Sequence, residues 1–327
     1  MKNRPDYRVL GSRALGRLLA DIGPIACLDI GARGGPKEDL LAIAPAAKVY
    51  CFEPDALECE RLNQRFGSGA SPFNEVRFFP VALSKTGGRR TLHMTRHAGA
   101  SSLLAPLPEV GARFSRPQYV EVVRTVEIDT LPLDEFARQS GLPEISHIKI
   151  DVEGLELEIL QSAGQMLANS VVALRTEVAF FPLRAGQPLY CDTANFLKSF
   201  DFVPMGFAEL HHWRRYSADK QLKMTDDPIP FSRGQLAHGD MIFFRDPDQL
   251  PAATEAERRN LIKAAFLALS YGYIDHAGYI LKRPELAGML EAYQIKPDDE
   301  LRTAAQELAR AWNYTGVGRG WRRKKGP

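Results

Sequence analysis

The chain has 327 residues, 45% hydrophobic and 25% charged, with 42 basic against 40 acidic side chains and a formal net charge of +2. Such a chain is globular, is long enough for one large α/β domain plus an addition, and offers no global charge argument for nucleic acid or a membrane. No apolar run approaches the ~20 residues of a spanning helix, and residues 1–6 lead into no apolar signal-peptide core.

Residues 9–22 carry apolar positions at helical spacing and predict a helix beside the first strand. Strand one is expected over 26–30, a short helix over 37–43 after Pro36, strand two over 48–52, and a helix over 55–66 after Pro54. Strand three is expected over 76–83. Gly87-Gly88 is a turn, and 89–95 and 119–128 alternate as strands do, which predicts a β-insert. Between them, residues 97–117 form a Gly/Ala/Ser/Pro-rich loop carrying Ser101 and Ser102; loops of this length are functional or mobile as a rule.

The α/β rhythm resumes with a helix over 133–140, strand four over 147–151, a helix over 155–167, strand five over 171–178, a helix over 191–200, and strands over 202–208 and 240–245. This alternation predicts an α/β, doubly wound sheet of about seven strands, complete by about Pro247. Pro247-Asp248-Gln249-Leu250-Pro251 reads as a linker, which divides the chain into residues 1–248 and an α-helical extension, 249–327, with helices over 255–269, over 300–312 and over part of 271–290. The last nine residues hold Arg319, Arg322, Arg323, Lys324 and Lys325 and no acid. This basic tail reads as a solvated end, with peripheral contact to an anionic glycan, phospholipid or partner as the alternative. Cys27, Cys51, Cys59 and Cys191 form no C-x-x-C pair and read as core thiols of a cytoplasmic protein.

Two segments carry chemistry. The first apolar run ends in Asp29-Ile30-Gly31-Ala32-Arg33-Gly34-Gly35, and the second ends in Phe52-Glu53-Pro54-Asp55. A strand, a glycine-rich turn, a helix and a second strand with a carboxylate at its tip bind a nucleoside-containing cofactor at the carboxyl edge of a parallel sheet. A pyrophosphate binder needs G-x-G-x-x-G facing the phosphates. Here Asp29 would repel a pyrophosphate and suits the cationic end of S-adenosylmethionine, while Glu53 is placed to accept from the ribose hydroxyls. In the second segment, Ile148-Lys149-Ile150-Asp151-Val152-Glu153-Gly154, a strand ends at Asp151 beside the first turn, where a methyl donor and acceptor would meet. Glu156 and Glu158 read as a solvated helix face.

These segments, taken in order with Val81-Ala82-Leu83-Ser84, Ser101-Ser102-Leu103, Ile128-Asp129-Thr130-Leu131 and Thr176-Glu177, resemble the FkbM-type S-adenosylmethionine-dependent methyltransferases from about residue 26 to about 207. The resemblance implies a class I Rossmann-like fold whose last strand is antiparallel. It also implies O-methylation of a sugar, glycan or other natural-product hydroxyl. Residue by residue it implies a cofactor turn at Asp29, Gly31, Ala32 and Gly34, the ribose at Glu53 and Pro54, the adenine bordered by Ala82, Leu83 and Ser84, and the methyl group near Asp151. Residues after 251 lie outside it.

Methyl transfer to oxygen needs in-line alignment and a group to take the hydroxyl proton. Asp151 and Glu177 are favoured for the carboxylate roles, with Glu153 beside them. If they converge, they could share a proton or bind a divalent ion; no dedicated ligand cluster is visible, so the metal is the less favoured option. Ser101, Ser102, Gln187, Tyr190, His211 and His212 are the candidate acceptor contacts, although His211 and His212 equally suit a surface turn. Two further readings stand beside this one: a non-catalytic module docking a glycan-assembly partner, and, less favoured for want of G-x-G-x-x-G, an NAD-dependent oxidoreductase. No nucleic-acid partner is expected.

Overall fold

The apolar run Ile25–Ile30 forms β1, buried at every position. Ala47–Phe52 forms β2, Glu75–Phe79 β3, Ile145–Ile150 β4, Ala173–Ala179 β5, Phe202–Trp213 β6 and Gln235–Arg245 β7. The computed structural model describes residues 12–67, 71–215, 234–315 and 320–323. Its main sheet has seven strands in the order β3-β2-β1-β4-β5-β7-β6. The first five run parallel, and β7 is antiparallel to both β5 and β6. Chain order reverses between β1 and β4, so a crevice opens beyond their carboxyl ends, where doubly wound sheets bind ligands.

Strand alternation sends side chains to two cores. Leu28 and Ile30 of β1 join Ile148, Ile150, Leu160 and Phe243 on one face. Cys27, Val49, Ala173 and Ile242 face the other way, into a core that also holds Leu18, Ile262, Phe266 and Leu269. The last three belong to the helix Glu255–Ser270 of the C-terminal extension. That helix starts at a reciprocal cap: Thr254 Oγ1 accepts from Glu257 N at 3.2 Å, and Glu257 Oε2 accepts from Thr254 N at 2.8 Å. Residues on both sides of position 248 therefore fill one hydrophobic cluster.

Just beyond this helix, Tyr271 bonds through its hydroxyl to Nε2 of buried His147 on β4 at 2.8 Å. Burial holds that imidazole down at about 3, so it is neutral and structural. Tyr271→Phe removes one buried hydrogen bond and is expected to cost about 1 kcal/mol in denaturant unfolding. An unchanged midpoint would show that the bond is not stabilising.

Several boundaries differ from the pattern-based expectation. The expected third strand stops at Phe79, because Pro80 has no N–H to continue the ladder. Ala82–Leu83 instead pairs with Thr130 and Leu131 in a separate three-stranded sheet built from Ala82–Leu83, Val122–Leu131 and Gly88–Thr95. The expected loop 97–117 contains a helix, Pro108–Arg113. The helix expected over 155–167 divides into Glu156–Gln161 and Gly164–Asn169. At the break, Ser162 Oγ donates to Ile159 O at 2.7 Å and accepts from Leu133 N at 2.9 Å. The short helix after Pro36 is a 3-10 helix, Glu38–Ala46. The β6–β7 pair runs further toward its connection than its apolar cores suggest, to Trp213 on β6 and back to Gln235 on β7.

Three cysteines are buried, Cys191 is exposed, and all four are free thiols. Among the described residues no helix is long and apolar enough to cross a membrane. Of the basic tail, Arg319, Lys324 and Lys325 lie outside the described residues.

Candidate active site

The turn after β1 closes directly onto the tip of β4. Gly31 and Ala32 N–H both donate to Phe52 O at 3.1 Å, and Asp151 N–H donates to Ile30 O at 3.0 Å. Gly31 has φ +81°, and a Cβ there would lie 1.9 Å from the carbonyl oxygen of Asp151. Only glycine permits this approach.

Asp29 is buried beneath the turn. Its Oδ2 accepts from Lys37 N at 3.0 Å, and its Oδ1 faces Lys149 Nζ at 3.0 Å. Lys149 also lies 3.6 Å from Asp151 Oδ2 and donates to the Gly31 carbonyl at 3.3 Å. Burial opposes its charge, but Asp29 and Asp151 more than offset this and push the ammonium up to about 12. The charge of Asp29, expected from the sequence to meet a ligand, is thus answered inside the protein. Lys149 is a residue that sequence reasoning missed; its one signal is a lysine between two isoleucines of a buried strand.

Glu53 sits at the tip of β2, almost fully buried. Oε1 accepts from Asp55 N at 2.9 Å, and no hydrogen bond occupies Oε2 among the described residues. Burial raises its pKa; the Asp55 N–H and the exposed Arg33 oppose that. Pro54 beside it is exposed. Gly34 is also exposed, with open space where a Cβ would be. Ala82 and Leu83 are buried next to the β3 tip. Ser84 does not present its side chain to a ligand: it is fully buried, with Oγ bonded to Thr130 Oγ1 at 2.7 Å and accepting from Gly87 N at 3.2 Å.

Across the crevice Asp151, Glu153 and Glu177 converge, with oxygens within 4.8 Å of one another. That spacing also suits a divalent ion. Here, however, the protein answers each carboxylate with a basic group: Lys149 faces Asp151, Arg184 pairs with Glu153, and His238 bonds to Glu177. Lys149 is shared with Asp29, so these partners do not replace an ion one for one. Burial and neighbouring Glu177 push Glu153 up to about 8, against the pull of Arg184. Burial, then Asp151 and Glu156, also raise Glu177 well above the carboxylate range.

The turn holding Glu153 is strained and braced. Glu153 has φ +63°, a left-handed conformation that non-glycine residues rarely adopt. Ser102 Oγ donates to its carbonyl at 2.8 Å, and buried Arg184 holds its carboxylate while donating to Ala100 O at 3.1 Å. Glu156 is not a solvated helix residue: it is buried, and its carboxylate accepts from Val152 N and Gly154 N at 3.0 Å. Glu158 pairs with Arg90 at 2.8 Å.

The candidate acceptor contacts are placed unevenly. Ser102 supports Glu153, and Ser101 Oγ accepts from Thr95 N at 3.2 Å, so both hydroxyls serve the loop. Gln187 Oε1 accepts from Leu183 N at 2.8 Å and Arg184 N at 3.2 Å, which shapes the loop that aims Arg184. Tyr190 opens the helix Tyr190–Lys198 and stacks on Phe180 at 5.7 Å. His211 and His212 lie within β6, not in a turn. His211 stacks on His238 at 4.5 Å, whereas His212 is exposed and, by alternation, faces the other way. Glu177 bonds to His238. The strand carrying His238 begins at Gln235, five residues before the expected start at Asp240.

Residues 29–212 match the model of the methyltransferase FkbM domain. The chain is 28% identical over 204 residues to the 2-O-methyltransferase NoeI of Sinorhizobium fredii (strain NBRC 101917 / NGR234), covering 61% of this chain and 82% of that protein. Among solved structures it is similar to methyltransferase FkbM from Methylobacillus flagellatus KT, with 16% identity and a TM-score of 0.38 over 68% of this chain and 43% of that one. It is also similar to the magnesium protoporphyrin IX methyltransferase ChlM from Synechocystis PCC 6803, with 13% identity and a TM-score of 0.35 over 71% of this chain and 76% of that one. The family match covers more than half of the chain and runs from Asp29 through β6, taking in the glycine turn, Glu53 and the carboxylate trio: the chain is a methyltransferase and belongs to the FkbM family.

Proposed function

We propose that the crevice binds S-adenosylmethionine and that the protein transfers its methyl group to a hydroxyl oxygen of a sugar, glycan or other natural-product acceptor. The observation that carries this reading is the convergence at one sheet edge of the Gly31 turn, Glu53 and the carboxylate trio. Glu53 keeps Oε2 for a ribose hydroxyl, and its buried carboxylate makes such a bond strong. The sulfonium donor supplies an electrophilic methyl. The chain's own contribution is to orient the acceptor and remove its proton. The likeness to a 2-O-methyltransferase supports oxygen as the accepting atom.

Calorimetric titration with S-adenosylhomocysteine, with NAD in parallel, tests the cofactor. Saturable S-adenosylhomocysteine binding is expected, weakened about 10-fold or more in Glu53→Ala, the value of a charge-assisted hydrogen bond. Normal binding by that variant would displace the cofactor from this crevice. Binding of NAD alone would favour the oxidoreductase reading. Radiolabelled methyl transfer to a panel of free and methyl glycosides then tests the acceptor class.

A further inference from the structure

We infer that His238 is the group that takes the acceptor's proton, with Glu177 as its positioning residue; this rests on the methyl-transfer reading above. His238 Nδ1 lies 2.6 Å from Glu177 Oε1. Glu177 belongs to the carboxylate trio beside Asp151, so the imidazole stands at the rim of the crevice. No hydrogen bond occupies Nε2 among the described residues, and the side chain keeps 19% of its exposure. The ring is held on two further sides, stacked on His211 at 4.5 Å and edge-on to Trp213 at 5.9 Å. A base with one nitrogen fixed by a carboxylate and the other free is the arrangement that general-base catalysis needs.

The backbone builds this placement. The β6–β7 ladder shifts register between Leu236 and His238, and bulges beside active sites re-aim side chains. Gly239 follows; a Cβ there would lie 2.6 Å from Glu209 O, so the two strands can approach closely only with glycine at that position. Charged and titratable groups face His238 from every neighbouring element. Glu177 lies on β5, His211 on β6 with Glu209 at 3.7 Å from it, Asp240 two positions along β7, and Glu153 and Arg184 on the adjoining turns. Burial first, and then His211, hold the imidazole down at about 4, against Glu153 and Asp240, so it rests neutral and able to accept a proton.

In the step itself, a lone pair on the acceptor oxygen forms the O–CH3 bond. The methyl–sulfur bond breaks with its electron pair remaining on sulfur, and the hydroxyl proton passes to Nε2. The positive charge lost from sulfur reappears on the imidazolium, beside Glu177.

Carbethoxylation of the full chain by diethyl pyrocarbonate, read by peptide mass spectrometry, tests the free nitrogen without any acceptor. His238 is expected to react already at mildly acidic pH, where its imidazole is neutral, with exposed His212 as the internal reference, and Glu177→Gln is expected to slow it about 10-fold. Failure of His238 to react where His212 reacts, or equal rates in Glu177→Gln, overturns the proposal. With any glycoside turned over, His238→Gln is expected to lower kcat about 100-fold or more while leaving the S-adenosylhomocysteine Kd unchanged. Retained kcat with an unchanged pH profile also overturns it. Wild-type protein that binds no S-adenosylhomocysteine would instead remove the methyl-transfer reading on which the proposal rests.

Discussion

Arg175→Met is expected to destabilise the protein by about 3–5 kcal/mol, the cost of stranding buried charges by removing their partner. Arg175 sits in β5 with a nearly inaccessible side chain. Its Nη1 donates to Asp39 at 2.7 Å, its Nε to Asp240 at 3.0 Å, and its Nη2 to Glu209 at 3.3 Å. One guanidinium therefore ties the segment after the glycine turn to both strands of the β6–β7 pair. Burial opposes its charge, and Asp39 and Asp240 raise its pKa far enough that it stays cationic at any working pH. Burial, helped by Asp29 and Asp240, raises the pKa of Asp39, and Arg175 draws it back; without the arginine the carboxylate must protonate or stay buried unpaired. For a domain of this size the loss corresponds to a melting temperature about 5–15 °C lower. Arg175→Lys should fall between the two, because an ammonium cannot serve three carboxylates in the planar fork geometry. A melting temperature unchanged in Arg175→Met would show that the network contributes nothing net.

Gly31→Ala is expected to weaken S-adenosylhomocysteine binding about 100-fold or more. A left-handed backbone costs a non-glycine residue about 1–2 kcal/mol. The 1.9 Å overlap with the Asp151 carbonyl adds a clash with backbone, which cannot rotate away as a side chain would. The turn and the β4 tip must separate, which displaces Asp151 and the Lys149–Asp29 pair together. Gly34→Ala supplies the control: it also has positive φ but open space around its Cβ, so only the conformational cost applies. Equal loss in both variants would mean that strain, not contact between the turn and β4, governs binding.

The sequence was most legible where an apolar run ends in an acid. Asp29, Glu53, Asp151 and Glu177 all lie at or near strand ends, and a parallel sheet aligns such ends along one edge. What answers each acid was not legible. Lys149 lies 120 residues along the chain from Asp29, and His238 lies 61 from Glu177. Such pairings follow from strand order, which local periodicity does not encode. His238 was further hidden because Gly239 interrupts the apolar alternation that marks the strand from Asp240 onward. Ser102 and Gln187 were identifiable as polar residues on loops. Their work in bracing Glu153 and aiming Arg184 depends on two loops meeting, which sequence spacing cannot show.

The way the C-terminal helices share a core with β1, β2, β5 and β7 sets what can be expressed as an independent fragment. A piece cut to residues 29–212, the span the family model matches, would omit part of β1 and all of β7. β6 would then lose the neighbour that joins it to the sheet. It would also bare Val49, Cys51 and Ala173 to solvent as an apolar surface, the kind that drives aggregation. Boundaries drawn from shared ancestry and boundaries drawn from packing are different lines in this protein, and a soluble fragment must follow the second.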